Sequence, residues 1–377
     1  MCANGTAGRS TPTNCTGSLD HLNTLRSNTL KPINIPRRSF LATAALASIP
    51  RLQAQTAAPK SAPTRVLGQG DFRYRHIPEW GVLGKETPVK NCHGIAITRE
   101  QNIILLTDHT SNNVLIYSPN GKLLNKWGTR FPGAHGLSLV TIKGRETLFI
   151  TDLATHRVEQ TSLDGETLAE WSWPQQSGKY AKDAEYKPSW TMHLPDASFI
   201  VMDGYGKDYF LHYGSDGLLQ HTFGGSEGGI AHWGPHGGTA FTSATGATHL
   251  VVAMSDQQHL LHLEIDGKER ARTPLPGGNP RQIRPFGEHF VCAHLADNWP
   301  KDRNSRGFIS ILDKDFRVIS NIGGTAPEYD GKGHLTAMRS TDDVFTHPHD
   351  AVIAPDGALY VAQFASGNTY PLKFERI

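Results

Sequence analysis

Four histidines open β-rich segments of the sequence in the same way. His93, His135 and His236 are each followed by glycine, and His349 is followed by Asp350. Only 19 of the 377 residues are histidine, so this repeated placement stands out. Neutral imidazoles from separate segments can bind zinc or a similar divalent metal, and three with an open fourth position form a catalytic zinc site. The alternative is that His-Gly merely opens a strand and each ring is hydrogen-bonded locally.

These histidines belong to a unit that recurs along the chain. The units begin near residues 93, 135, 190, 236, 281 and 349, and most contain an Asn-Gly or Asp-Gly turn before the last of their short strands. Four short strands at this period are typical of a propeller blade. The sequence therefore predicts an all-β fold, a six-bladed β-propeller over about residues 65–377, with a pair of β-sandwiches as the alternative.

The ends of the chain indicate how the ring closes. The last unit has only three strands before Ile377, whereas residues 72–81 match the pattern of a fourth strand. We expect this N-terminal strand to pair with the last blade, because closure removes an open sheet edge that would otherwise favour aggregation. A pattern that continues from the C-terminus to the N-terminus argues against the β-sandwich alternative.

The predicted propeller fold indicates which residues meet at one mouth of the central channel. The first strand of a blade lines the central channel, so the four histidines should meet at one mouth, with Arg281 in a fifth blade. Second strands return to the same mouth and bring Tyr205 and several aspartates. These carboxylates could support the imidazoles, or could simply make turns. Four aromatic residues could line a substrate pocket there or anchor its loops, namely Trp190, Trp233, Trp299 and Tyr329.

The pattern of the N-terminal 60 residues indicates an export signal rather than a folded domain. Arg37-Arg38 precede a short apolar run and a small-residue site, as in a twin-arginine (Tat) export signal. The alternative is a chance arginine pair before a core helix. The run is too short to span a bilayer. We therefore expect a leader over residues 1–60 and a periplasmic or extracellular mature protein that does not enter the membrane.

Composition excludes several classes of protein. Lys and Arg total 37 against 35 Asp and Glu, a formal net charge of +2, so no global charge favours nucleic acid as a partner. The sequence contains no P-loop. Cys92 and Cys292 fall in non-adjacent units and are expected as buried thiols. We expect a monomer that acts on a small molecule or a peptide.

Four segments resemble a known family. They read Gly-Ala-His-Gly-Leu-Ser-Leu over 133–139, Val-Met-Asp-Gly-Tyr over 201–205, Gly-Pro-His-Gly over 234–237 and His-Pro-His-Asp over 347–350. Together with the turns they resemble NHL-type propellers, and more specifically the lyase domain of peptidylglycine α-amidating enzymes. The resemblance covers about residues 80–377.

The resemblance implies a particular site. It assigns zinc to His135, His236 and His349, the catalytic tyrosine to Tyr205, and the carboxylate ligand of a structural calcium ion to Asp350. The activity of that family is the cleavage of a peptidyl-α-hydroxyglycine into a peptide amide and glyoxylate. An exported, metal-dependent, lyase-like enzyme is therefore the function that the sequence favours.

The sequence also departs from the family pattern. Residues 106–109 and 253–256 lack the arginines that hold the substrate carboxylate in the family, and acidic residues stand nearby. His93 is an additional histidine, His347 replaces an apolar residue, and Arg281 could face the same mouth. These three residues are candidates for further metal or substrate contacts, and altered substrate specificity is expected.

Two other functions remain open at this point. A non-catalytic NHL propeller could bind a protein or glycan at the same face. A calcium-dependent lactonase or esterase is the third hypothesis. It ranks last because such sites are built mainly from Asn, Asp and Glu rather than histidine.

Overall fold

A computed structural model describes residues 65–81, 84, 87–243, 246–297, 302, 305–365 and 370–377. The expected leader and Trp299 lie outside these residues. Within them, 25 strands form six antiparallel sheets, and the helical content is three single turns of 3-10 helix at Gln175–Ser177, Asp183–Glu185 and Ser226–Gly228. The protein is thus the all-β, six-bladed propeller that the sequence predicts.

The strands follow one another around the ring in chain order. Their bounds are β1 (Val66–Gln69), β2 (Phe72–Ile77), β3 (Cys92–Ile97), β4 (Ile103–Thr107), β5 (Val114–Tyr117), β6 (Leu123–Trp127), β7 (Ala134–Ile142), β8 (Arg145–Asp152), β9 (Arg157–Ser162), β10 (Thr167–Ser172), β11 (Trp190–His193), β12 (Phe199–Met202), β13 (Tyr209–Tyr213), β14 (Leu219–Gly224), β15 (Pro235–Thr242), β16 (Thr248–Met254), β17 (His259–Leu263), β18 (Glu269–Pro274), β19 (Pro280–Phe286), β20 (His289–His294), β21 (Phe308–Leu312), β22 (Val318–Ile322), β23 (Pro348–Ile353), β24 (Leu359–Gln363) and β25 (Leu372–Arg376).

Five blades are built from consecutive strands, namely β3–β6, β7–β10, β11–β14, β15–β18 and β19–β22, which we number blades 1 to 5. Blade 6 has the order β1-β2-β25-β24-β23 and therefore combines both ends of the described chain. Strand β2 pairs antiparallel with β25, with Tyr74 opposite Arg376. The expected closure is confirmed, with β1 as an additional outer strand.

The blades hold together through apolar layers between them. In the layer between blades 1 and 2, Leu106 and Ile150 are fully buried and share one cluster with Leu137. Strands β4 and β5 are buried on both faces, because each lies between two neighbouring blades, and so they read as continuous apolar runs. The outer strand β6 alternates instead, because only one of its faces is covered.

Candidate metal site

The innermost strands share an irregularity at the position of each channel-mouth histidine. The pairing of β3 with β4 shifts around His93, that of β7 with β8 around His135, that of β15 with β16 around His236, and that of β23 with β24 around His349. Strand β19 has the same shift at Arg281. A bulge leaves one residue out of the ladder and turns its side chain in a new direction. Here it directs five side chains from five blades to one mouth.

Each of the four rings is held by the next blade in the ring. The Nδ1 atoms of these histidines lie 2.7–2.9 Å from backbone carbonyl oxygens, in the pairs His93–Ala134, His135–Ser189, His236–Arg281 and His349–His93. A carbonyl accepts only, so Nδ1 carries the proton in every case. This fixes the tautomer and leaves the lone pair of Nε2 for another partner.

The glycine after the histidine explains this approach between blades. A side chain at Gly136 would place its Cβ 2.7 Å from the carbonyl oxygen of Ser189, which accepts the hydrogen bond of His135. A Cβ at Gly237 would lie 2.4 Å from the carbonyl oxygen of Arg281, the partner of His236. Only glycine therefore allows the neighbouring strand to come close enough to orient the ring. The local hydrogen-bonding alternative and a metal site are compatible.

The four imidazoles form one compact group. Ring centroids are 4.6–4.9 Å apart in five pairs, which are His93–His135, His93–His349, His135–His236, His135–His349 and His236–His349. The ligand nitrogens of His93, His135 and His349 lie within 4.8 Å of one another. The Nε2 atom of His135 is buried and has no hydrogen-bond partner among the described residues. These three buried residues could hold a metal ion.

Burial keeps these rings neutral. It lowers the pKa of His93 to about 4, despite the opposing charge of Asp108. Burial also lowers the pKa values of His135, His236 and His349 well below the usual range, and neighbouring rings and Arg281 lower them further. Neutral imidazole is the form that binds a metal ion. At neutral pH the four imidazoles are therefore in the neutral form that can bind a cation.

Tyr205 and Arg281 lie beside the histidines. The hydroxyl of Tyr205 is 3.0 Å from Nε2 of His236 and donates a hydrogen bond to it. A Cβ at Gly204 would overlap the carbonyl of Pro235, so this glycine lets the turn press against blade 4 and brings Tyr205 beside His236. Burial raises the pKa of Tyr205, and the charge of the buried Arg281 offsets part of the rise.

The predicted zinc set and the geometric group share two members. The resemblance assigns His135, His236 and His349, whereas the mutually close nitrogens belong to His93, His135 and His349. His93, introduced from the sequence as an additional candidate, belongs to the close group. His236 lies against it with Nε2 already bonded to Tyr205. The structure therefore brings all four candidates together and offers two triads.

Asp350 does not have the surroundings of a calcium ligand. Its Oδ1 accepts from Nε of Arg284 at 2.8 Å and its Oδ2 from Nη2 at 2.7 Å, while the backbone N–H of Ile95 also donates to Oδ2. The same guanidinium donates to the carbonyl of Leu137. A cationic side chain thus already occupies the position that a calcium ion at Asp350 would need, and the residues present do not fit that ion.

The aspartates near the mouth make turns. Asp152 accepts from the backbone N–H groups of Gly133, Ala154 and Thr155. Asp203 accepts from the backbone N–H groups of Lys187 and Lys207 and from the hydroxyl of Tyr180. The imidazole Nδ1 atoms bond to backbone carbonyls instead, so the turn interpretation of these carboxylates is the one that the structure supports.

Phe364 and His347 stand at the edge of the histidine group, and the sequence motifs do not indicate the first of them. The ring of Phe364 stacks on His93 with centroids 5.4 Å apart. Phe364 follows the last residue of β24, a position that carries no motif. His347 contacts the ring of Phe364 at 6.3 Å, so it stands beside the histidine group.

The far end of the channel is different. A cavity of about 450 Å³ opens there, lined by the innermost strands of all six blades. Ser138, Thr191 and Arg284 supply polar groups, and Trp190 and Val352 supply apolar surface.

Cys92 and Cys292 are both buried and outside any disulfide, as expected. In the described part of the chain, no helix is long and apolar enough to cross a membrane.

Fold and site together define a six-bladed β-propeller with a buried histidine group that could hold a metal ion at one channel mouth. Among solved structures, the chain is similar to a streptogramin B lyase, with 11% identity over 77% of this chain and 94% of that chain and a TM-score of 0.51. It is also similar to virginiamycin B lyase from Staphylococcus aureus, with 11% identity over 81% and 88% of the two chains and a TM-score of 0.50.

A protein of unknown function from Bacteroides thetaiotaomicron is similar to the same degree, with 11% identity over 77% of this chain and 70% of that chain and a TM-score of 0.51. No model of a known protein family matches the sequence, and no curated protein matches it. At such low identity these likenesses support the propeller fold, and the site must be interpreted from its own residues.

Proposed function

We propose that this protein is an exported, zinc-dependent enzyme of the amidating-lyase type whose substrate specificity has changed. The observation that carries the proposal is the buried group of His93, His135 and His349, in which Nε2 of His135 has no hydrogen-bond partner among the described residues. An unpartnered buried nitrogen is costly, and a metal ion would satisfy it.

The residues of this chain fit that ion. The Nδ1–H bonds to carbonyls fix the rings and make the opposite nitrogens better ligands. Three protein nitrogens would leave zinc a position for substrate, where it would act as a Lewis acid on a substrate oxygen. Calcium is not part of the proposal, because Arg284 already neutralises Asp350.

Tyr205 is the proposed base. In a lyase reaction of this type, the hydroxyl group of the substrate loses a proton, the carbon–nitrogen bond breaks, and the departing amide nitrogen gains a proton. Tyr205 donates to His236 in the structure, and burial raises its pKa, so its phenol holds its proton there. The charge of Arg281 works in the opposite direction and favours the phenolate that catalysis requires.

The decisive experiment is metal analysis of the purified protein. About one equivalent of zinc or a similar metal is expected, with loss of the metal in the His135→Gln variant. Glyoxylate release from an α-hydroxyglycine peptide then tests the narrow activity, which we expect to be weak because the family arginines are lacking. Protein without stoichiometric transition metal would overturn the proposal and favour the non-catalytic propeller that binds a protein or glycan.

Export is a separate part of the proposal. Replacing Arg37 and Arg38 together by lysine should retain the protein inside cells that possess a Tat system, as judged by fractionation. Unchanged export of that variant would contradict the proposed signal.

A further inference from the structure

We propose that Trp233 forms an aromatic binding surface at the histidine-lined mouth, and that the substrate carries an aromatic ring next to its metal-binding group. This inference rests on the proposed function and assigns the class of substrate. It begins from the placement of one side chain that packing does not explain.

Trp233 is exposed in an unusual way. The residue is 53% accessible, and it is the aromatic member of the large hydrophobic residues that are exposed in the described part of the chain. Its backbone φ is 60°, a region that bulky residues seldom adopt. Strained, solvent-facing positions of this kind concentrate at binding sites. A residue that served only to anchor a loop would bury its indole.

The surrounding contacts hold this conformation in place. The buried carboxylate of Asp208 accepts from the backbone N–H of Trp233 at 3.2 Å, and its other oxygen lies 2.7 Å from Nδ1 of His232. A Cβ at Gly234 would lie 2.6 Å from the backbone carbonyl oxygen of Ala231, so the next residue is held closely as well. Trp233 is therefore presented rigidly, three residues before His236.

The indole continues a row of rings that crosses the mouth. Its centroid is 5.6 Å from that of Tyr205 in an edge-to-face arrangement, and Tyr205 is 4.9 Å from His135. His135 is 4.9 Å from His93, on which Phe364 stacks. The exposed indole thus stands one ring away from the histidine that has an unsatisfied nitrogen. A substrate whose polar group reaches the histidines would lie along Trp233.

Two hydroxamates test this inference, because they share a metal-binding head and differ in one ring. Affinities of acetohydroxamate and benzohydroxamate for the zinc-loaded protein are measured by calorimetry. We expect benzohydroxamate to bind about tenfold more tightly, the effect of one well-placed aromatic contact. Trp233→Ala should abolish this preference and leave the affinity for acetohydroxamate unchanged, whereas Trp233→Phe should retain most of it.

The matched control is Leu218→Ala, which removes another exposed hydrophobic side chain, 67% accessible, from the turn between β13 and β14. It should keep the full preference. Cyclohexanecarbohydroxamate, which has an apolar ring without a flat face, should bind less tightly than benzohydroxamate to the wild-type protein. Zinc content and thermal unfolding of each variant show whether fold and site are intact, and the Phe variant remains informative if the Ala variant unfolds.

The outcomes separate the two proposals. Equal affinity for the two hydroxamates in the wild-type protein, or an unchanged preference in Trp233→Ala, overturns the aromatic surface while the metal site stands. Absence of stoichiometric metal, with neither hydroxamate bound, overturns the proposed function itself, and the aromatic surface falls with it.

Discussion

His349 and Asp350 are adjacent on β23, yet they belong to two differently built levels of the channel. At the mouth, four neutral rings present lone pairs and Tyr205 satisfies only one of them. One level deeper, the guanidinium of Arg284 satisfies Asp350 and the carbonyl of Leu137. The deeper level contains its own cation bound to Asp350, whereas the histidine group at the mouth could hold one from outside. The same strands can therefore provide both a permanent ion pair and an open binding group.

Removing the internal cation should have the largest effect. Arg284→Met leaves the buried Asp350 without its partner, and breaking such a pair costs about 3 kcal/mol of unfolding free energy, the low end of the range because the arginine side chain remains 19% accessible. Denaturant unfolding of the metal-free protein measures the loss. Arg272→Met, which breaks an exposed pair with Glu269, is the control and should cost less than about 1 kcal/mol.

The same comparison predicts the response to calcium. Because Arg284 already occupies the deeper level, neither a calcium chelator nor added calcium should shift the thermal unfolding of the wild-type protein. A stabilising effect of calcium on the wild-type protein would contradict the assignment of Arg284 as the cation of that level.

Loss of a ring at the mouth should weaken metal binding strongly and lower the free energy of unfolding less than Arg284→Met does. His135→Gln is expected to lower zinc affinity by more than about 100-fold, since even residues behind the ligands contribute 10- to 100-fold. His221→Gln, which changes an exposed residue of strand β14, is the control.

Two further variants distinguish the triads. If the geometric group binds the metal, His93→Gln loses zinc and His236→Gln retains most of it. If the set implied by the resemblance binds it, the pattern reverses. Competition titration with a zinc indicator reports both affinities.

The spacing between blades can be tested at one glycine. Gly136→Ala pushes the carbonyl of Ser189 away and should cost about 1–3 kcal/mol, as overpacking does, while weakening zinc binding through misoriented His135. Gly331→Ala is the matched control, because a Cβ at Gly331 meets nothing within 4 Å. Equal stability and zinc affinity of the two variants would refute the role of Gly136 in orienting the ring.

The smallest expected effect is the loss of stability of the metal-free protein at acidic pH. Burial lowers the folded-state pKa of His93 to about 4 against an ordinary value of 6.5, so the unfolded chain binds more protons between these values. Stability of the metal-free protein should therefore fall as pH falls from about 6.5 towards 4. His93→Gln should fall less steeply over this window, as measured by urea midpoints at pH 5 and 7.5. Parallel curves would count against neutral burial of His93.

The six-bladed ring could be predicted from the sequence because the strand period, the turns and the fourth-strand pattern before residue 81 are local signals. It also placed His135 and His349 at one mouth, since equivalent positions in repeats meet by symmetry. It could not reveal the bulges at these positions, which depend on pairing with the second strand. The partner of Asp350 was equally hidden, because Arg284 lies 66 residues away in another blade.

The closure of blade 6 sets the order in which the chain can fold. Blades 1 to 5 pair strands that are near neighbours in sequence, whereas β2 must find β25 across about 300 residues. Distant pairings form late, since the entropy of closing the loop must be overcome first. During synthesis β2 therefore waits for the last strand to emerge. His93 donates to the carbonyl of Ala134, and His349 donates to the carbonyl of His93. The histidine group is therefore complete only when blade 6 has closed against blade 1.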